Sequence, residues 1–185
     1  MYSKIFLLFM GIALSFTFSG CGGKSPKVAN KVIYKSVTQV YIDSNIPVDS
    51  YISKNIQDEC SLDTRLLGSL TKLANSSGIK TVTNKQENSA QNILKLEILD
   101  AVSSGNAFTG HKKFVVAKGE LYEGSKKIAS FKVARTSSGG FFGAYKSSCA
   151  VLGGCTTSIS KDIVAWLKAP IDNAVLGDRY LLRNR

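Results

Sequence analysis

Four cysteines, Cys21, Cys60, Cys149 and Cys155, are the residues of this chain whose type and spacing carry chemistry. A thiol can be acylated, oxidised to a disulfide, deprotonated to a nucleophile or used as a metal ligand. The last two uses find no partners in the sequence. The gaps between the cysteines do not match zinc-ligand spacing, and the single histidine, His111, is far from all four. A nucleophilic cysteine needs a base within reach, and the acidic residues show no paired arrangement suited to acid–base work. No metal, no cofactor and no enzymatic reaction is therefore expected. Acylation and oxidation remain.

Cys21 is set apart by what precedes it. Met1-Tyr2-Ser3-Lys4 is a short basic end, Ile5 to Phe18 an apolar run, and Ser19-Gly20 a pair of small residues. That order describes a secretory signal, and the apolar run is too short to span a bilayer comfortably. The cut would fall just before a cysteine. Phe18-Ser19-Gly20-Cys21 resembles the lipobox of bacterial lipoproteins, with Phe18 where Leu is usual. The resemblance implies a diacylglycerol on the Cys21 thiol, removal of residues 1–20 and acylation of the new amino terminus. Three acyl chains make a stable membrane anchor, whereas one holds a protein only reversibly. Gly22 rather than Asp follows the cysteine, which by the same resemblance implies export to the outer membrane, on its periplasmic face. Residues 21–30, with Gly22, Gly23, Ser25 and Pro26, read as a flexible tether.

With Cys21 acylated, three cysteines are left, and an oxidising periplasm favours pairing two of them. Cys60 stands just before the first clear helix and Cys149 in the first turn of the last one. The two ends meet if both helices cover one face of a sheet, so Cys60–Cys149 is the favoured bridge and Cys60–Cys155 the alternative. Cys149 and Cys155 are poor partners for each other, because six residues of helix separate their Cα atoms by about 9 Å. Cys155 also falls on an apolar stripe, where a free thiol behaves as a small hydrophobe.

The elements that must position these residues follow from periodicity. Val32 to Ile42 reads as a strand, with a short helix around Tyr51 to Ile56 after Pro47. Leu62, Leu66, Leu70 and Leu73 make one stripe of a helix over 61–75, with Ser61 as its cap and Gly78 as its stop. Ile79 to Thr83 is a short strand. Over Asn92 to Val102, Leu94, Leu96, Ile98 and Val102 share one strand face and Lys95 and Glu97 the other. Ser103 to Asn106 reads as a turn. Lys113 to Tyr122 and Lys126 to Thr136 form a hairpin around Glu123-Gly124-Ser125. The last helix, Ser148 to Lys168, buries Leu152, Cys155, Ile159, Ile163 and Trp166 and ends at Pro170. These elements predict a single α+β domain over 31–170, a mostly antiparallel sheet with two helices packed on one face, followed by a basic, irregular tail over 171–185.

Between hairpin and last helix lies Ser137 to Lys146, rich in glycine and aromatic residues. The phosphate-cradling motifs do not fit its spacing, and no βαβ unit precedes it. Its Gly139, Gly140, Phe141, Phe142 and Tyr145 are a candidate surface for a partner or ligand, set against a crossover loop whose aromatics tuck under the last helix. The net charge is +11 over 185 residues, and about +10 without Lys4. A secreted, anchored protein rarely meets nucleic acid, so anionic lipid headgroups, lipopolysaccharide or an acidic partner fit the compartment better, set against the plainer and favoured reading of a solvated surface that keeps the protein soluble.

Taken together, Asp58-Glu59-Cys60, Ser138-Gly139-Gly140-Phe141, Lys146-Ser147-Ser148-Cys149, Asp162-Ile163, Trp166-Leu167, Pro170 and Leu176-Gly177-Asp178 resemble a family of uncharacterised proteobacterial lipoproteins. The resemblance implies a Cys60–Cys149 pair, treats Cys155 as particular to this chain and brings no activity. The order of strands and helices also resembles periplasmic domains of envelope-assembly lipoproteins, an analogy of fold from which function does not follow. The expected role is a non-enzymatic binding or assembly module of the cell envelope. The alternative is a periplasmic carrier that holds a lipid or other apolar ligand between helices and sheet.

Overall fold

A computed structural model describes residues 33–82, 92–106, 110–137 and 147–183. The expected signal segment 1–20, Cys21, the expected tether 21–30 and the residues Gly139, Gly140, Phe141, Phe142 and Tyr145 lie outside the described residues. In chain order the elements are strand β1 (Gln39–Ile42), helices α1 (Lys54–Cys60) and α2 (Leu62–Ser76), strands β2 (Lys80–Val82), β3 (Asn92–Asn106), β4 (Gly110–Glu123) and β5 (Lys126–Thr136), helix α3 (Ser148–Leu167) and strand β6 (Ala174–Gly177). A 3₁₀ turn, Arg179–Leu182, follows.

The strands form one sheet in the order β2-β1-β3-β4-β5-β6. β1 runs parallel to both β2 and β3, and β6 runs parallel to β5. Only β3–β4 and β4–β5 are antiparallel. The sheet is thus mixed, which corrects the expected mostly antiparallel one. The reason lies in the connections: α1 and α2 link β1 to β2, and α3 links β5 to β6. A helical crossover brings the chain back in the same direction, so both links create parallel pairs.

The apolar stripes of α1, α2 and α3 join alternate strand residues in one large core. Leu66, Leu70, Leu152, Ile159 and Ile163 from the helices are fully buried against Val40, Leu94, Ile98, Leu121 and Val133 from the sheet. The opposite sheet face carries a second cluster, Phe114, Val116 and Ala134, with Leu99, Val102, Leu181 and Leu182 against it.

Val102 therefore sits on the opposite face from Leu94, Leu96 and Ile98, not on the same one. The ladder shifts register between Ile98 and Asp100. One extra residue in a strand turns every following side chain to the other side, so Ala101 enters the core and Val102 leaves it. β3 also continues through Ser103 to Asn106, where a turn is expected from sequence.

Two further expectations are corrected. Ser61 makes no capping side-chain bond; it occupies the left-handed region at φ 45° and serves as the joint between α1 and α2. The segment 171–185 is not an irregular tail up to Arg183, since Ala174–Gly177 pairs with Phe131–Ala134 as the edge of the sheet.

The first strand is shorter than Val32 to Ile42. Before Gln39 the chain crosses the C-terminal end of α3, where Val37 N–H donates to Leu167 O (3.0 Å) and Tyr34 N–H to Pro170 O (2.8 Å). Carbonyls that a helix end leaves unpaired are satisfied in this way.

Candidate functional site

The sheet has two ends with different contents. At one, Gln39, Asn92 and Glu123 lie side by side; Asn92 pairs with Glu123 in the ladder, and its side-chain amide donates to Gln39 O (3.3 Å). The C-terminus of α3 and the incoming chain at Ile33, bridged to Ile171, belong to this end. At the other end stand the N-termini of α2 and α3.

There Cys60 and Cys149 are bonded, with Cα atoms 4.8 Å apart at a sequence separation of 89. The alternative Cys60–Cys155 pair is not formed. The bridge sets α2 and α3 parallel, and one face of each continues the contact: Ser69 Oγ and Ser160 Oγ are 2.6 Å apart midway along. Arg65 reinforces the joint by donating from Nε to Cys60 O (2.9 Å), its guanidinium lying against Gly153 of α3.

Lys113 ties the same end together. Its ammonium donates to Ser103 Oγ (3.1 Å) and Ser148 Oγ (2.9 Å), and its carbonyl accepts from Ser137 N–H (3.0 Å). Ser147 starts α3 as a capping residue, its hydroxyl accepting from Ala150 N–H (3.2 Å). Ser137 and Ser147 are the described flanks of the glycine- and aromatic-rich segment. Ser137 Oγ lies within contact range of Gly154 on α3, so both flanks are fixed beside the disulfide.

Cys155 is fully buried close by, its Sγ 3.9 Å from Lys113 O. Burial, with a smaller contribution from Asp178, pushes its thiol up to about 11. It is held as a neutral thiol at physiological pH and is not a nucleophile. With Cys60 and Cys149 bonded, no described cysteine offers a thiolate. No group of three or more His, Cys, Asp or Glu side chains suited to a metal ion occurs among the described residues.

A second cluster was not legible as such. Arg135 on β5 donates from Nε and NH2 to the two carboxylate oxygens of Asp162 on α3, both at 2.6 Å. Asp178 lies 3.6 Å from the same guanidinium and accepts from Thr136 N–H (2.7 Å) and Thr136 Oγ (2.8 Å). Asp162 first of all, then Asp178, keeps the Arg135 guanidinium more firmly protonated than usual. Gly177 makes the approach possible: its φ is +69°, and a Cβ there would run into Ala134 O. The cluster fastens β6 and the 3₁₀ turn, which lays Leu181 and Leu182 over Phe114 and Val116. Asp162-Ile163 and Leu176-Gly177-Asp178 stand in the sequence as separate motifs; the shared partner Arg135 is what joins them. Beside the cluster an open depression of about 370 Å³ is walled by Trp166, Ile171, Val175 and Arg179. Asp162, which also lines it, is already engaged by Arg135.

Trp166 is a core residue, 4 % exposed, stacked edge-on to Phe131 at 4.8 Å with its indole N–H donating to Ile171 O (3.0 Å). The Phe131 ring fills the space over Gly119, where any Cβ would collide with it. On the outer face, Lys118 pairs with Glu97 (2.7 Å) and Lys127 with Glu120 (3.2 Å). Tyr122 donates to Glu120 (2.6 Å), which chiefly holds that carboxyl below its usual range and raises the phenol.

No family model matches the chain, and no curated protein matches it. Solved structures do. The chain is similar to protein XCC0632 from Xanthomonas campestris, described under family model DUF330, with TM-score 0.50 and 14% identity over 71% of this chain and 84% of that one. It is similar to protein CT253 from Chlamydia trachomatis, with TM-score 0.52 and 11% identity over 73% of this chain and 96% of that one. A looser likeness, TM-score 0.39 and 11% identity over 69% and 99%, is to lipoprotein GNA1162 from Neisseria meningitidis. At these identities the first two likenesses concern fold alone.

Proposed function

We propose that the chain is a non-enzymatic lipoprotein, anchored through Cys21 on the periplasmic face of the outer membrane, that acts as a binding or assembly module of the cell envelope. The observation that carries this reading is the division of labour among the cysteines. Cys21 follows a signal-like run and the Phe18-Ser19-Gly20 triplet, while Cys60 and Cys149 are bonded to each other. A structural disulfide belongs to an oxidising compartment, and a signal ending at a cysteine leads there. Both features point the same way and arise from separate parts of the chain.

The candidate partner surface is the segment holding Gly139, Gly140, Phe141, Phe142 and Tyr145, whose flanks Ser137 and Ser147 are pinned beside the disulfide. An envelope protein is the partner that such aromatic residues suit. The alternative, a carrier with an apolar ligand between helices and sheet, draws less support. The space it needs is occupied by Leu66, Leu70, Leu94, Leu152 and Ile159, each fully buried. Affinity capture from detergent-solubilised envelopes tests the module reading. The expected result is a stoichiometric protein partner that is lost when Phe141 and Phe142 are both changed to Ser. Recovery of the chain alone would count against the reading.

A further inference from the structure

We propose that the end of the fold carrying Ile33, Lys35, Lys80, Lys126 and Lys168 is a membrane-facing surface that takes the anionic headgroups of the bilayer holding the anchor. The proposal rests on the reading of Cys21 as the lipidation site.

The first argument is reach. The described chain begins at Ile33, bridged to Ile171 at the C-terminal end of α3. Twelve residue steps separate Ile33 from Cys21. Twelve steps span at most about 40 Å. A strand of fifteen residues such as β3 is about 50 Å long. The limit of the tether is shorter than the sheet, so the end nearest Ile33 is kept on the bilayer side. The disulfide end is held a strand length away, free for a partner in the periplasm.

The second argument is the chemistry of that end. Lys80 pairs with Gln39 in the ladder, Lys126 closes the hairpin next to Glu123, Lys168 ends α3, and Lys35 follows Tyr34, which is bonded to Pro170. All four lysines are exposed, and none has an ion pair or side-chain hydrogen bond among the described residues. The acidic groups beside them are engaged. Glu120 accepts from Tyr122 and Lys127, Asp172 from Ser130 and Asn173, and Glu123 has a partner of its own. Cations without counter-ions near an anionic leaflet are attracted to it within a Debye length. Ile33, 68 % exposed, adds an apolar side chain at the point of entry.

The test uses the full lipidated chain reconstituted in phosphatidylethanolamine vesicles, with or without phosphatidylglycerol. A single exposed cysteine, Lys126→Cys, Lys168→Cys or Thr64→Cys, carries a fluorophore, and headgroup-labelled nitroxide lipid is the quencher. Cys60 and Cys149 are bonded and Cys155 is buried, so the new thiol takes the label. The expected result is at least about twofold stronger quenching at positions 126 and 168 than at 64 when phosphatidylglycerol is present. Replacing Lys35, Lys80 and Lys168 by Gln should reduce the quenching at position 126. Equal quenching at all three positions, or stronger quenching at 64, in protein that floats with the vesicles overturns the facing surface alone. Failure to float, with no acyl mass on Cys21, overturns the anchor and the facing surface together.

Discussion

Arg135 and Asp162 meet in a two-pronged ion pair, both hydrogen bonds 2.6 Å long, across the gap between strand β5 and helix α3. The pair holds the last helix against β5 beside Gly177, where the edge strand β6 ends. Asp178 approaches the same guanidinium, so one arginine organises the whole C-terminal return. Side-chain exposures of 34 % for Arg135 and 17 % for Asp162 keep water at its rim.

Asp162→Asn keeps the shape and removes the charge. Charge-assisted pairs contribute about 1.5–3 kcal/mol when shielded, and partial exposure lowers this to about 1–2 kcal/mol. The expected outcome is a lower midpoint in urea with an unchanged slope. An unchanged midpoint would mean that the pair contributes nothing to holding α3.

Gly177→Ala places a Cβ against Ala134 O in a backbone at φ +69°. Strain and collision together should cost about 2–3 kcal/mol and loosen the return from Leu176 onward. Hydrogen exchange at the Ala174–Asp178 amides reads this directly, with faster exchange there than at Leu121. Uniform protection would contradict the role given to Gly177.

The disulfide closes a loop of 89 residues, for which chain entropy gives about 4–5 kcal/mol. Cys60→Ser with Cys149→Ser should lower unfolding stability by that order. The single variant Cys60→Ser should also change non-reducing gel mobility and raise the thiol count after denaturation by one. Parental mobility and thiol count in Cys60→Ser would contradict the bridge.

Cys155 gives a pH signature. Its thiol is pushed up to about 11 in the folded protein from an ordinary value of 9.0. Between these values the unfolded chain has lost the proton and the folded one retains it, so this contribution to stability is full below pH 9 and declines as pH rises toward 11. The decline is on the order of 2–3 kcal/mol across that window. Cys155→Ala should flatten the loss above pH 9 relative to the parent. Identical alkaline profiles would show that the thiol is not shielded.

Helices and hairpin were readable because their signals are periodic and local: the leucines of α2, the stripe from Leu152 to Trp166, and Gly124 between two alternating runs. What was not readable depends on distant partners. Parallel pairing of β1 with β2 and β3 is decided by where the crossovers land, not by the composition of Gln39–Ile42. The register shift after Ile98 carries no glycine or proline to announce it. Ser61 has the residue type of a cap, yet the sharp turn between α1 and α2 claims it for a positive φ. β6 is four residues long, and its place at the edge depends on the distant partners Phe131–Ala134 in the ladder and on the clasp of Arg135, Thr136 and Asp178 beyond it. The candidate bridge was within reach of sequence argument, since both cysteines abut helix starts; the Arg135 cluster was not, because its three members share no spacing.

In the proposed arrangement Cys21 anchors the module in the membrane, and Cys60 and Cys149 staple its other end. Mass spectrometry of the amino-terminal peptide from the mature protein, purified from separated inner and outer membranes, tests it most directly. The expected peptide begins at Cys21, carries a diacylglycerol thioether and an amide-linked acyl chain, and is recovered from the outer membrane. An amino terminus at Met1 or at any other residue, with an unmodified Cys21 thiol, would contradict it.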